Sequence, residues 1–318
     1  MIEAIGADRD LVLLMGAVVA LLVVASVVGF ILSRKSRAPE AKGTIDNLNA
    51  RIRAWWVMVI VFSVAVASGG TGSLIMFGVL SLLALREFMT LSPTRRGDHV
   101  TLFLSFFVLL PLQYYLIAIG WYGFFAILIP VYGFIFIATR SVLSGDTTDY
   151  LARTATINWG LMVCVYCLSH APALLMLELQ FGSGYNATLL FFLVLVVQLS
   201  DVLQYVAGKL WGRRRVAPTI SPNKTWEGLI GGVAGATAAG AAISWATPFT
   251  PLQAAGLALL ISIMGFAGGL VMSAIKRDRG VKDFGTALSG HGGVLDRIDS
   301  LCFAAPIFFH ITAFFFGV

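Results

Sequence analysis

The chain has 318 residues, of which 58% are hydrophobic and only 12% charged. Soluble domains run near 45–50% apolar and about 25% charged, and a soluble globule of this size could not hide so much apolar side chain. Mean hydropathy is +0.88; with three cysteines in the chain, a disulfide-stapled scaffold is excluded too, as is a disordered or collagen-like chain. What remains is an all-α, polytopic integral membrane protein.

A bilayer core of roughly 30 Å needs about 20 apolar residues in helix. Leu11 to Leu32 is one uncharged run, closed by Arg34, Lys35 and Arg37. Its leading segment carries Glu3, Asp8 and Asp10 rather than a basic cluster, unlike a secretory signal. Ala54 to Leu85 is uncharged and about 48 Å long as helix, too long for one crossing. Gly69, Gly70 and Gly72 divide it into two short spans. Leu102 to Thr139 is longer still and is divided at Gly120 and Gly123. Further spans are predicted at 157–177, 187–209, 228–247, 252–275 and 300–318, about ten in all.

Charge asymmetry supports that number. With the acidic N-terminus outside, every Lys and Arg except Arg9 falls on the cytoplasmic side. A single span in either long run would flip everything after it and abolish the asymmetry. The chain is expected to divide into N-terminal membrane helices (1–186, about six spans) and a C-terminal membrane region (187–318) with polar loops at the cytoplasmic face. A multi-pass protein of a bacterial inner membrane is expected. Cys164 and Cys167 have CxxC spacing but sit within a span, where packing explains them better than redox or zinc chemistry.

Asp201 lies inside an apolar run, at a depth where a carboxylate is costly unless it faces a cavity or partner. Gln198, Asp201, Tyr205 and Lys209 share one helix face. Ser221-Pro222 reads as an N-cap followed by proline at the first helical position, so the eighth span is predicted to begin there. Its free N–H groups would attract phosphate, with Lys224 beside them.

Asp296 and Asp299 are three apart at the start of the last span. Two ionised carboxylates at that spacing make a hard oxygen site suited to Mg2+; capping by Asp296 and a pair with Arg297 is the plainer alternative. Gly290-His291-Gly292-Gly293 supplies backbone N–H groups for an anion, or forms an ordinary turn. Lys276, Arg277, Arg279, Lys282 and Arg297 interleave with Asp278, Asp283, Asp296 and Asp299. Cations that bind phosphate oxygens beside carboxylates that hold a bridging metal describe a site for a highly charged phosphate substrate. Gly228, Gly232, Ala236 and Gly240, and Gly265 with Gly269, are close-packing patterns that would bring the two loops together.

The run Ser273-x-Ile275-Lys276-Arg277, Lys282-Asp283-x-Gly285, His291-Gly292-Gly293-Val294-x-Asp296-Arg297-Ile298-Asp299 resembles the signature of phosphatidate cytidylyltransferases, the CDP-diacylglycerol synthases. Asp201-x3-Tyr205 and Ile220-Ser221-Pro222-Asn223-Lys224-Thr225-Trp226-Glu227-Gly228 are similar to that family's second motif. The resemblance covers about residues 187–318. It implies attack of a phosphatidate phosphate oxygen on the α-phosphorus of CTP, giving CDP-diacylglycerol and pyrophosphate. Such transfer demands mostly positioning and charge neutralisation. It further implies that Asp296 and Asp299 hold Mg2+ and that Lys276, Arg277, Lys282 and Arg297 neutralise phosphate. Asp283 would support the metal or orient a lysine. Ser221, Lys224 and Thr225 would clamp a phosphate, with Asp201, Ser273 and His291 completing the site.

Two departures stand out: Ser289 replaces a Pro or Gly of relatives, and Gly269 replaces the aspartate of a Gly-Asp-Leu that serves their metal site. Asp201 or Asp278 are candidates to replace that carboxylate, or the chain belongs to a divergent branch with another lipid acceptor. The competing readings are a CTP-dependent lipid kinase, distinguished by release of CDP, and an anion transporter. The transporter would spread buried charge over several spans. A CDP-alcohol phosphotransferase lacks support because its longer run of spaced aspartates is absent. The expected partners are CTP, phosphatidate or a related lipid phosphate and the bilayer, with no nucleic acid; a homodimer is an allowed assembly.

Overall fold

Each of the two long apolar runs breaks between helices at one glycine, Gly69 in the first and Gly120 in the second, and both take positive φ (73° and 69°). At Gly120 the N–H bonds Ile117 O at 3.0 Å and the next N–H, of Trp121, bonds Leu116 O at 3.0 Å. This is the paired closure that a left-handed glycine gives a helix end. Each run is therefore two helices. A computed structural model describes residues 2–35, 39–285 and 292–318. In chain order the long helices are α1 (Ile2–Lys35), α2 (Pro39–Ala67), α3 (Gly69–Thr90), α4 (Arg96–Ala118), α5 (Tyr122–Val142), α6 (Tyr150–Met176), α7 (Asn186–Trp211), α8 (Trp226–Ala242), α9 (Pro251–Asp278) and α10 (Leu295–Phe316).

Among the described residues eight helices are long and apolar enough to cross a membrane. The other two expected spans are helices too, but shorter: the apolar part of α2 is Ile52–Ala67, and α8 has 17 residues. Large apolar side chains such as Leu21, Phe103, Phe107, Leu151 and Phe314 face outward, as lipid-facing positions require. Cys164, Cys167 and Cys302 are free thiols packed among helices, in line with the packing reading of the CxxC.

The C-terminal helices pack in succession, α7 on α8, α8 on α9 and α9 on α10, while α3 and α6 close against α10. The small-residue stripe does what its spacing predicts, since Gly228, Gly232, Ala236 and Gly240 are the buried positions of α8. A Cβ at Gly232 would lie 2.7 Å from the Gln204 backbone nitrogen, so α8 rests directly on the main chain of α7.

The segment after α7 differs from expectation. Ser221 is not the helix N-cap; Ser221–Thr225 is a strand, β2, paired antiparallel with β1 (Arg215–Ala217) in a hairpin. A residue before proline is pushed away from helical ψ, and Pro222 lacks a donor but is tolerated in a two-stranded ribbon whose strands are both edges. The helix starts four residues later, where Thr225 Oγ1 accepts from Gly228 N at 3.1 Å. The Glu227 carboxylate then accepts the Arg213 N–H at 3.0 Å and that of Arg214, tying the hairpin base to the first turn of α8.

On the same side as the hairpin, a buried ion pair joins the start of α4 to α6: Arg153 Nε lies 3.0 Å from Asp98 Oδ2, with side chains 1% and 0% exposed. Arg153 also reaches Asp146 at 3.2 Å and the Thr148 carbonyl. The Thr148 N–H and, more weakly, Arg153 and Arg95 hold the Asp146 carboxyl below its ordinary range. A depressed carboxylate contributes above its unfolded pKa and loses that contribution as pH falls through the folded one. Removing one partner of a buried pair strands the other charge, so Asp98→Ala is expected to cost about 3–5 kcal/mol. Thermal unfolding in detergent checks this; an unchanged midpoint would show that Arg153 finds its stabilisation elsewhere.

Candidate active site

The first turn of α10 presents Asp296 inward, beside the C-terminal part of α9. Lys276 Nζ donates to Asp296 Oδ1 at 2.8 Å, with both side chains largely shielded (12% and 9% exposed). Asp296 Oδ2 accepts the Phe284 N–H at 2.8 Å and the Gly293 N–H at 2.9 Å. One carboxylate thus ties together the end of α9, the loop after it and the start of α10. Gly292, at φ +80°, makes the turn into that helix.

A second carboxylate holds the same turn from outside the signature. Glu87, buried near the end of α3, accepts the Val294 N–H at 2.9 Å through Oε1 and the Leu295 N–H at 2.8 Å through Oε2. These are orphan donors at the start of a helix, where the macrodipole also favours a negative charge. The approach is so close that a Cβ on Gly293 would lie 2.3 Å from Glu87 Oε2, and one on Gly285 2.6 Å from Oε1. Sequence reasoning missed Glu87. Its only signal was a charged residue next to Arg86 at a span end, which the interface explains equally well.

One turn further along α10, Asp299 Oδ1 accepts the Ser300 N–H at 2.7 Å. Asp299 faces Lys276 from α9 and Lys224 from the hairpin. Asp201 on α7 faces Asp299, Ser300 and Lys224. Both carboxylates are partly buried, as the depth of Asp201 in its span predicts. Burial pulls the Lys224 ammonium below the usual lysine range, against the opposing charges of Asp299 and Asp201.

The two polar loops therefore meet at one end of the α7–α10 bundle. Arg277 Nε donates to the Ile220 carbonyl at 3.2 Å, fastening the hairpin turn to α9. Lys276, Asp296, Asp299, Asp201 and Lys224 come together. Other expected site residues stand differently: Thr225 caps α8, Ser273 Oγ donates to the Gly269 carbonyl at 2.6 Å, and Ser221 lies on β2. Arg297 sits on the first turn of α10, its carbonyl accepting from Gln198 Nε2 at 3.4 Å. Lys282 and Asp283 are exposed on the loop, with Asp283 close to Gly292. His291 and Ser289 lie outside the described residues.

Whether this donor set suits a metal can be read from its chemistry. Asp201 and Asp299 are hard carboxylates from two different helices, the type Mg2+ takes once or twice before water and phosphate complete its shell. Asp296 instead has both oxygens engaged by Lys276 and two backbone N–H groups.

Residues 49–315 match the model of the cytidylyltransferase family. The chain belongs to that family. It is 44% identical over 279 residues, 87% of its length, to a protein of Escherichia coli named YnbB and described as uncharacterized, covering 91% of that protein. It is 28% identical over 274 residues to the phosphatidate cytidylyltransferase of Bacillus subtilis, spanning 85% of this chain and 99% of the relative. With the Brucella abortus phosphatidate cytidylyltransferase, identity is 41% over 139 residues, 41% of this chain and 49% of that protein. The family match is much wider than residues 187–318 and takes in α3 to α6 and most of α2, as the reach of Glu87 into the signature requires.

Proposed function

We propose that the protein transfers the cytidylyl group of CTP to phosphatidate at the cytoplasmic face of a membrane, releasing pyrophosphate and forming CDP-diacylglycerol. One observation carries the reading: Lys224, Lys276, Asp201 and Asp299, drawn from a hairpin and three helices, converge at one end of the bundle. Cations and carboxylates gathered there match a triphosphate, and a site at a helix end is reachable by a lipid phosphate held at the bilayer surface.

Asp299 and Asp201 are the residues that would hold Mg2+, which would supply positive charge to neutralise the phosphates. Lys276, kept in place by Asp296, and Lys224 add positive charge where the triphosphate sits. Arg277 fixes the hairpin that carries Lys224. The division of labour is positioning and neutralisation rather than covalent help, as phosphoryl-type chemistry requires. The family membership and the phosphatidate cytidylyltransferases among the relatives support the reaction class.

The test is to incubate the purified protein in detergent with CTP, Mg2+ and phosphatidate. Lipid-linked cytidine and an equal amount of pyrophosphate are expected. Release of CDP in place of pyrophosphate would make the protein a kinase, and product with another lipid phosphate alone would move the acceptor. No lipid-dependent turnover of CTP at all would overturn the proposal.

A further inference from the structure

Lys224 is the penultimate residue of β2, and its side chain points into the bundle. Its Nζ lies 4.7 Å from the ring centroid of Phe266 on α9. A Cβ placed on Gly269, one turn further along, would be 2.5 Å from that nitrogen. The missing side chain at Gly269 is therefore the room in which the ammonium sits. The charged groups facing it are Asp201 from α7, Asp299 from α10 and Lys276 from α9. Among the described residues none of these carboxylates makes a direct ion pair with it. A cation on a flexible stem thus stands beside two acids, committed to neither, and stabilised by an aromatic face.

We propose that the Lys224 ammonium is the resident counter-ion of the Asp201–Asp299 pair, admitted by Gly269, and that it bars divalent cations until a triphosphate draws it away. This deepens the reading of the pocket as the nucleotide's phosphate site. Of the two described lysines that face the acids, Lys276 is already bound to Asp296, so Lys224 responds when phosphate oxygens arrive. Turning toward them, it would leave both carboxylates to a divalent ion, so that nucleotide and metal bind in mutual dependence. Reciprocity of linked binding then requires that CTP raise metal affinity by the same factor as metal raises CTP affinity.

Mn2+ binding, followed by electron paramagnetic resonance on the detergent-purified protein without any lipid acceptor, tests this. The native protein is expected to bind Mn2+ weakly alone and at least tenfold more tightly with CTP present. Lys224→Met and Lys224→Gln should each bind Mn2+ about tenfold more tightly than the native protein in the absence of CTP. Adding Asp299→Asn should remove that gain. Gly269→Ala, whose methyl takes the ammonium's room, should shift nucleotide-free Mn2+ affinity in the same direction. Unchanged Mn2+ affinity in both Lys224 variants, or a gain that survives Asp299→Asn, would overturn the proposal. No turnover is read, so a failure of lipid cytidylyl transfer would leave these outcomes standing, and their failure would leave the transferase reading standing.

Discussion

Asp299→Asn is expected to lower the initial rate of cytidylyl transfer by about a hundred- to a thousandfold, the scale of losing one preorganised charged group at a reacting phosphate. Thermal unfolding should hardly change. Among the described residues Asp299 accepts its hydrogen bonds from Ser300, its own neighbour in the helix, so an amide in its place leaves the packing intact. Asp296→Asn makes the informative contrast. Asp296 binds Lys276, Phe284 N and Gly293 N together, and an amide keeps the shape but gives up the charge paired with Lys276. Breaking a shielded pair by neutralising one partner costs about 3–5 kcal/mol. Asp296→Asn should therefore lose both rate and unfolding midpoint, where Asp299→Asn loses rate alone. Paired measurement of pyrophosphate release and unfolding in detergent separates the two. An Asp299→Asn protein that turns over normally would remove Asp299 from the site.

Glu87 carries the second large effect. Glu87→Ala leaves the Val294 and Leu295 N–H groups without their acceptors, at about 1–3 kcal/mol for each stranded donor. Because those donors open the helix that bears Asp296 and Asp299, the acids should shift. Misplacement of a catalytic group by about 1 Å is enough to cost about a hundredfold in rate. The loss should fall on kcat more than on KM, and Glu87→Gln, whose amide oxygen still accepts, should recover part of it. Gly293→Ala attacks the same contact from the other side, since its methyl would meet Glu87 Oε2 at 2.3 Å. The double variant Glu87→Ala with Gly293→Ala should be less impaired than the sum of the singles, because removal of one group makes room for the other. Strict additivity would show that the two do not share a contact.

Much of the fold was legible because its causes are local. Apolar run length against bilayer thickness, and the glycines that break two of those runs, predict where helices begin and end. The four-residue spacing of small residues in α8 predicts which face it buries. The error at Ser221-Pro222 was local as well: two rules about proline compete there. The helix-start rule lost to the preference of a pre-proline residue for extended backbone, once Thr225 was available as the cap.

By itself the sequence determined the class of molecule, the family signature, and the set of cations and carboxylates that belong to one site. Only the tertiary structure decided how that set is divided. It gave Asp296 to Lys276 and two backbone donors, left Asp299 facing Asp201 and Lys224, and recruited Glu87 from 207 residues away. Hydrogen bonds and charge pairs act over a few ångströms in space, whatever the distance along the chain. A carboxylate's partners, and so its role, follow from helix packing that residue spacing alone does not encode.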